Sequence, residues 1–598
     1  LDGLGADERR ALQDAAVLGK TFTKAALAEV SGRGEGELEP LLAFLVKREI
    51  LGVQNDPRSP ELGQYGFLQD LLRQVAYDTL ARPERKARHL AAAAYLASSG
   101  DETVEVVASH LLSAYDADPD AADAAEIRDQ ARLALVHAGD RAGALAAAGE
   151  ALRYYEQALA LAEDAELHER AGRAAHMAAR PADAHRHVER AIELVEADGD
   201  SRGAARLRAQ LGSILFFEDR VPQAIDALQQ AVEVLSAGAE DADLALAIAE
   251  LSRLLTLAGR HNEAMPLIER SLELAEALDL PETFANGLIT KGIVLDWRGR
   301  TREARLLTEH GLDVALANDL SSVALRAFNN LIIQRAVDGD SRGAVQLNER
   351  MLELATRVGD RQQEQRARRS LSSGYYYLGN WDRAETEAAF STWAQASAFA
   401  PIRLARGDVA LARQEFEKEV AERPEGWDRQ VQARVNFAAH TAALLLAEGR
   451  LAEALARAEE ALAESETVGR HYFAGEFDTG ADAAARLGNE PKLIELLAMI
   501  DEMPTGHRTT EIDQVAAIIR ARLAVVRGED ATADFREAAA IARELQWPFY
   551  VARSLVEYGE WLVSAGQYAE AEPFLDEAEQ LLTPLRATVW LERIERAR

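Results

Sequence analysis

Arginine and asparagine side chains recur along one face of three consecutive segments, where they could bind a carboxylate-bearing ligand. Within each segment the positions lie 3, 4 and 3 residues apart, which is one stripe of an α-helix: Asn286, Ile289, Ile293 and Asp296, then Arg326, Asn329, Ile333 and Ala336, then Arg366, Arg369, Ser373 and Tyr376. A guanidinium group is a planar fork that matches a carboxylate, and an asparagine amide can bond an extended peptide backbone. These residue types predict a site for an acidic peptide or a protein terminus.

Neighbouring residues extend this predicted site. Trp297 and Tyr377 each follow a stripe by one residue, and Arg206 and Arg253 continue the series towards the N-terminus. The candidate ligand-binding residues are therefore Arg253, Asn286, Trp297, Arg326, Asn329, Arg366, Arg369 and Tyr376. The alternative is that these arginines pair with neighbouring carboxylates such as Glu364 and only solvate the surface.

The sequence predicts no catalytic residue and no metal site. His168, His176, His185 and His187 lie close together in the chain. On a helix, however, residues two apart point about 200° away from each other, so His185 and His187 cannot easily share a metal. We expect these histidines at exposed positions. A serine nucleophile elbow, an HExxH motif and paired carboxylates in a glycine-rich setting are all missing, so we expect no enzyme and no cofactor within this chain.

The elements that would position the stripes follow a repeat of 40 residues. Small residues hold this spacing at Ala184, Ala224, Ala264, Ala304, Ala344 and Ala384. Five residues before each lies a turn position: Ala179, Asp219, Gly259, Gly299, Gly339 and Gly379. Apolar residues recur at helical spacing on both sides of these turns, and glycine there can adopt the left-handed conformation that ends a helix. Each unit is thus a helical hairpin that must stack on its neighbours to bury its apolar face.

This pattern of small residues, glycine turn and alanine at the start of the second helix resembles the tetratricopeptide repeat (TPR), with a period of 40 in place of the usual ~34. The resemblance implies an all-α fold, a TPR-like α-solenoid in which the first helix of each unit lines the concave face. The arginine and asparagine stripes would then lie in a concave groove. Longer units of this kind are similar to those in the sensor arms of bacterial signalling ATPases.

Composition narrows the classes of partner. The 598 residues include 67 basic and 100 acidic ones, a formal net charge of −33. That charge argues against a nucleic-acid partner, since phosphate contact needs a basic surface, and against docking on an anionic membrane. The chain has no cysteine, no apolar run of the ~18 residues that a spanning helix needs and no visible signal peptide. We expect a cytoplasmic protein. Arg326, Arg366 and Arg369 would form a locally positive surface in this otherwise negatively charged chain.

The first hundred residues follow a different pattern. Helical periodicity over 7–18, 23–30 and 35–48 precedes short β-like runs at 50–53 and 64–67, which predicts a small N-terminal winged-helix domain. The helix over 35–48 carries Glu37 and Glu39 where a DNA-reading helix would carry basic or amide residues. We therefore expect this domain to pack against other domains.

A second resemblance is carried by the segments ERRALQDAAVLGKTF, ELEPLLAFLVKREIL and YGFLQDLLRQVAYDTLARPERKARH. They are similar to the region that follows the ATPase core in bacterial STAND-type regulators, above all class III adenylate/guanylate cyclases that carry an AAA ATPase and a TPR array. In related ATPases a winged-helix histidine contacts the nucleotide; Gln69 stands at that place here. The resemblance implies ATP and Mg only in an upstream ATPase, and the initial Leu1 leads us to expect that these residues follow one.

The predicted organisation is a winged-helix domain with a following helix at 1–100, connecting helices at 101–140, a TPR-like array in register at 141–390, a short repeat or bend at 391–425, and a second array with a capping helix at 426–598. The step from Ala384 to Ala412 is only 28 residues, which suggests the bend.

The predicted function is a non-catalytic sensor and protein-interaction arm that contacts and regulates an upstream ATPase or nucleotide cyclase in signal transduction. The alternatives are the arm of a TPR-containing transcription regulator and a free-standing TPR scaffold. An exposed groove also permits self-association.

Overall fold

A computed structural model describes residues 3–54, 62–98, 100, 103–145, 147–218, 220–390, 395–422, 431–465, 473–504 and 506–598. Within these residues the chain forms 31 α-helices and three short β-strands, so the expected all-α, TPR-like solenoid of helical hairpins is confirmed. The chain separates into two compact units, Leu1–Leu254 and Leu255–Arg598. None of the described helices is long and apolar enough to cross a bilayer.

Unit 1 begins with a small mixed region. Its elements are α1 (Ala6–Leu18), β1 (Thr21–Phe22), α2 (Lys24–Ser31), α3 (Glu35–Lys47), β2 (Leu51–Val53), β3 (Tyr65–Phe67), α4 (Asp70–Asp78) and α5 (Arg82–Ala97). The strands form an antiparallel sheet in the order β1-β3-β2. Leu12, Leu27, Leu42 and Phe67 form part of its buried core. Three helices and a hairpin thus lie where the sequence predicts them, and the winged-helix assignment stays a prediction.

The rest of unit 1 is a run of consecutively packed helices. They are α6 (Val104–Ala117), α7 (Ala124–Ala144), α8 (Ala148–Leu161), α9 (Ala165–Met177), α10 (Pro181–Ala197), α11 (Ser201–Phe217), α12 (Val221–Ser236) and α13 (Ala242–Leu257). Ala184 and Ala224, two of the small residues in the 40-residue register, are completely buried between helices.

Unit 2 continues the helix pairs. They are α14 (His261–Ala277), α15 (Pro281–Trp297), α16 (Thr301–Ala317), α17 (Ser321–Val337), α18 (Ser341–Val358), α19 (Arg361–Tyr377), α20 (Trp381–Ala388), α21 (Gln395–Ala405), α22 (Val409–Ala421), α23 (Val431–Ala447), α24 (Leu451–Ser465), α25 (Ala474–Arg486), α26 (Glu490–Asp501), α27 (Thr510–Arg527), α28 (Thr532–Glu544), α29 (Pro548–Ser564), α30 (Tyr568–Leu585) and α31 (Thr588–Ala597). Residues 391–394 and 423–425 of the predicted bend lie outside the described residues; α21 and α22 occupy most of the remainder.

The small residues of the repeat allow paired helices to approach closely. At Gly292 in α15, a Cβ atom would lie 2.9 Å from the carbonyl oxygen of Ala304 and 2.5 Å from Oγ1 of Thr308 in α16. The turn glycines adopt the predicted left-handed conformation, with φ of 73° at Gly299 and 79° at Gly339. Close helix contacts and left-handed turns both exclude residues with a bulky side chain. The sequence therefore shows them as small residues and glycines at fixed spacing.

The C-terminal helices of unit 2 pack back against the turns of its earlier repeats. The His507 ring lies 3.0 Å through Nε2 from the carbonyl oxygen of Trp297. The Trp547 indole donates to Oγ of Ser341 over 2.9 Å, and Arg406 Nε donates to the carbonyl oxygen of Leu585 over 3.2 Å. These contacts join residues about two hundred positions apart, and they enclose the space between the two halves of unit 2.

Candidate functional site

The space between the two halves of unit 2 is an open cavity of about 1970 Å³. Its lining comes chiefly from α31, the last helix, and from the first helices of successive pairs, which are α17, α19, α21, α23, α25, α27 and α29. The sequence resemblance implied that the first helix of each unit lines the concave face, and first helices supply most of the lining of this cavity. Small-molecule pockets usually measure about 300 to 1,000 Å³, so the space suits a longer ligand.

Arg366 and Arg369 lie on the cavity wall, one turn apart on α19. The sequence left open whether these arginines pair with neighbours such as Glu364. In the structure Glu364 accepts instead from Arg368, over 3.2 Å from Nε and 3.0 Å from Nη2. Neither Arg366 nor Arg369 forms an ion pair or hydrogen bond with any part of the chain that the structure describes.

The electrostatic surroundings of Arg366 reflect this lack of a partner. Partial removal from water lowers the pKa of its guanidinium group, and the positive charge of Arg369 lowers it further, while both side chains stay exposed to solvent. Two like charges placed side by side without a counter-ion repel each other. A carboxylate entering the cavity would relieve that repulsion and could accept hydrogen bonds from both side chains.

An aromatic wall follows the arginines along α19. Tyr376 stacks on Trp381, with ring centres 5.7 Å apart. The Tyr377 ring centre lies 4.4 Å from that of Trp547 and 5.9 Å from that of Tyr550. Burial raises the pKa of Tyr376 to about 12, so it is a neutral phenol at physiological pH. These rings offer apolar faces with polar edges to a ligand.

A buried network of ion pairs braces the opposite wall. Asp478 on α25 accepts from Arg522 Nη1 over 2.9 Å and from Arg553 Nη1 over 2.6 Å. Burial alone would raise the pKa of Asp478, but Arg553 and Arg522 outweigh it and hold the value at about 2. Arg522 also donates to both carboxylate oxygens of Glu557, over 2.9 and 2.8 Å. The arginines of this wall are therefore engaged with carboxylates of their own.

Two further carboxyl groups in the cavity lack such partners. Burial raises the pKa of Glu476, on α25, to about 7. Burial and then the charge of Glu476 raise the pKa of Glu511, on α27, to about 7, and the nearby Tyr377 hydroxyl partly offsets this rise. Among the described residues neither forms an ion pair. Sequence reasoning missed both, because in a chain of 100 acidic residues nothing local marks these two.

Other predicted site residues hold neighbouring repeats together. Arg326 donates from Nη1 to Oδ1 of Asn286 over 2.8 Å and from Nη2 to Oγ1 of Thr290 over 2.8 Å. Asn329 donates to Oε1 of Gln363 over 3.0 Å. These bonds join α15 to α17 and α17 to α19, so the predicted stripe is continuous, but its N-terminal part serves packing.

The remaining two predicted residues lie away from the cavity lining. Arg253 belongs to unit 1, where it donates to Glu250 over 2.9 Å and covers the ring of Phe216. The Trp297 ring packs against His261 at 5.2 Å between ring centres. The structure thus brings Arg366, Arg369 and Tyr376 together in one cavity and places the other five elsewhere.

Two of the four histidines that the sequence groups together, His168 and His187, form a buried pair. His168 and His187 are buried, with Nδ1 atoms 3.0 Å apart, so the expectation that they are exposed is wrong. Burial lowers the pKa of each. The described residues contain no group of three or more histidines, aspartates or glutamates placed to hold a metal ion.

A smaller cavity of about 650 Å³ in unit 1 carries its own counter-charges. Arg170 donates to both carboxylate oxygens of Asp140 over 3.0 Å, and Arg206 donates to both carboxylate oxygens of Glu169 over 2.6 and 2.7 Å. Because these arginines already pair with carboxylates, the smaller cavity offers a charged ligand fewer unpaired groups than the cavity of unit 2.

No family model matches the chain and no curated protein sequence matches it. Solved structures similar in fold include a STAND protein with a tetratricopeptide repeat sensor from Pyrococcus horikoshii, at 12% identity, 65% of this chain and 63% of that chain covered, and a TM-score of 0.34. A Rap protein complexed with competence and sporulation factor matches at 14% identity over 69% of this chain and 99% of that one, with a TM-score of 0.38.

The apo form of the quorum sensor NprR from B. thuringiensis matches at 9% identity over 63% of this chain and 97% of that one, with a TM-score of 0.36. The chain thus spans 63% of the length of the STAND protein. At these identities and TM-scores the likeness concerns the helical-repeat fold, and the function is inferred below from this chain's own side chains.

Proposed function

We propose that this chain is a non-catalytic recognition arm whose unit 2 groove binds an extended acidic segment of a peptide or protein. The observation that carries this proposal is the pair Arg366 and Arg369, two cations on the wall of a cavity of about 1970 Å³ that have no counter-ion among the described residues. An acidic side chain or a C-terminal carboxylate supplies the missing negative charge, and both arginines can donate to it.

The shape of the site supports a chain-like ligand. The lining runs across the first helices of successive repeats, so polar groups recur along the groove at the spacing of stacked hairpins. Repeat arrays of this kind present extended concave surfaces. The aromatic wall of Tyr376, Tyr377 and Tyr550 adds apolar contact area with little side-chain freedom to lose.

The resemblance of the first hundred residues extends the proposal to regulation. Ligand binding in unit 2 would favour one conformation of the arm and so bias an upstream ATPase or nucleotide cyclase, a population shift driven by differential affinity. ATP and Mg would belong to that upstream region. The small N-terminal region, a winged helix in this proposal, would transmit this conformational shift to the upstream region. The protein would act in the cytoplasm.

The test is capture of short peptides of graded charge by the full chain. We expect immobilised heptapeptides with two or more acidic residues to bind at least about tenfold better than neutral or basic ones, since one charge-assisted contact contributes about 1.5 to 3 kcal/mol. The double variant R366A/R369A should lose this preference for acidic peptides.

R361A is the matched control, because Arg361 begins the same helix outside the cavity lining. It should retain the preference. If the R366A/R369A chain selects acidic peptides as well as the unaltered chain does, the proposed groove is not the binding site.

A further inference from the structure

The proposed ligand carries one charge for the arginines, but the cavity also holds a second unbalanced pair. Glu476 and Glu511 lie in the first turns of α25 and α27, where the helix dipole favours a carboxylate by up to about 2 kcal/mol. The dipole supplies only a partial charge, so a bound cation would add to this stabilisation. Both carboxyls line the same cavity as Arg366 and Arg369.

Two arginines of the same cavity, Arg522 and Arg553, pair with other carboxylates. Asp478 follows Glu476 by two residues and receives both Arg522 and Arg553. Glu557 takes the remaining donors of Arg522. The wall therefore neutralises Asp478 and Glu557, whereas Glu476 and Glu511 line the same cavity without an ion pair to any described residue.

Aromatic rings stand beside these carboxyls. Tyr377, Trp547 and Tyr550 line the same cavity as the two carboxyls. The rings of Trp547 and Tyr550 lie against Tyr377. Carboxylates next to aromatic faces are the surroundings that an ammonium or guanidinium group prefers, since both the charge and the ring quadrupole attract a cation. This end of the cavity has the chemistry of a cation subsite.

The distance between the two ends follows from α19. Arg369 lies eight residues before Tyr377, and Arg366 lies eleven residues before it. At 1.5 Å per residue these separations are about 12 to 16 Å along the helix axis. An extended peptide rises about 3.3 Å per residue, so about four or five residues cover that distance.

We propose that the ligand of this groove is a dipolar peptide segment, with its negative group on Arg366 and Arg369 and its positive group on Glu476 and Glu511, about four or five residues apart. The inference rests on the proposed peptide-binding function and adds the cationic end and the spacing. The charges can come from side chains or from the two termini of a short free peptide.

The experiment uses the full chain and a series of fluorescent nine-residue peptides in an alanine–serine background, acetylated and amidated at their ends. Each carries one Asp and one Lys separated by one to seven positions, and a matched set carries Gln in place of Lys. We expect affinity to peak when Lys lies four or five positions from Asp, with a gain of at least about tenfold over the Gln peptide, which is 1.4 kcal/mol. Uncapped neutral pentapeptides test the termini as the source of both charges.

Variants separate the two proposals. In E476Q/E511Q the Lys peptide should bind no better than its Gln counterpart, while the dependence on Asp persists. If Lys makes no difference in the unaltered chain but R366A/R369A abolishes binding of the Asp peptides, the acidic-ligand groove stands and the cation subsite is refuted. If no peptide of the series binds, both proposals are overturned. Urea unfolding of each variant confirms that the fold is retained.

Discussion

Replacing Glu476 and Glu511 with glutamine should stabilise the protein, and the gain should depend on pH. Both carboxyls have a pKa raised from 4.5 to about 7. A raised carboxyl pKa means that the folded chain binds more protons than the unfolded chain between pH 4.5 and pH 7, so stability falls as pH rises through that window. Glutamine has no charge to lose or gain there.

The magnitude follows from the same values. At 1.36 kcal/mol per pH unit, a pKa of about 7 in place of 4.5 corresponds to about 3 kcal/mol per ionised carboxyl. A buried glutamine amide costs about 1 kcal/mol of this when it is poorly hydrogen-bonded. We therefore expect each single variant to gain about 2 kcal/mol at pH 8. The double variant should gain less than the sum, because part of the Glu511 shift comes from Glu476.

Equilibrium unfolding in urea at pH 4.5, 6 and 8, followed by tryptophan fluorescence, measures the difference between variant and unaltered chain. At pH 4.5 the folded carboxyls are protonated and only the amide cost remains, so each single variant should lose up to about 1 kcal/mol there and reach its full gain at pH 8. E560Q is the matched control, because Glu560 accepts from Arg593 over 2.9 and 2.6 Å and its loss should lower stability. A gain that is equal at pH 4.5 and pH 8, or absent at both, would refute the reasoning.

Three further outcomes can be measured in the same unfolding assay. D478A leaves Arg522 and Arg553 without their shared carboxylate, and should cost about 3 to 5 kcal/mol at pH 7, as for other buried pairs that lose one partner. G292A places a methyl group 2.5 Å from Oγ1 of Thr308 and should cost about 1 to 3 kcal/mol through overpacking. R366A removes an exposed cation that has no partner among the described residues and relieves its repulsion from Arg369, so stability should rise, by no more than about 0.5 kcal/mol.

The repeat architecture could be predicted because its causes are local. Glycine at 299 and 339 marks turns that need a left-handed residue, and small residues such as Gly292 mark helices in close contact. The stripe on α19 could be predicted for the same reason, since helical spacing alone places Arg366, Arg369 and Tyr376 on one face. These features need no knowledge of distant contacts.

The closed form of unit 2 could not be predicted in this way. The contacts of Trp547 with Ser341 and of His507 with Trp297 join residues separated by 206 and 210 positions. No periodic pattern links those positions, because they depend on the accumulated rotation of many hairpins. The placement of Glu476 and Glu511 in one cavity depends on the same geometry. Because the 40-residue register breaks after Ala384, the sequence could not assign these two residues to equivalent repeat positions.

Unpaired charges on a cavity wall lower the stability of the protein unless a bound ligand pairs with them. The wall that carries Asp478, Arg522 and Glu557 shows that this fold can pair charges there with good geometry. Filling the positions of Glu476 and Glu511 with neutral residues would stabilise the protein by the reasoning above, as would relieving the repulsion between Arg366 and Arg369. Local rules of stability are commonly broken at functional sites. Among the described residues, one cavity contains an unpaired positive pair, Arg366 and Arg369, and an unpaired negative pair, Glu476 and Glu511. These pairs favour a ligand that carries both charges, because a ligand with one charge would neutralise only one pair.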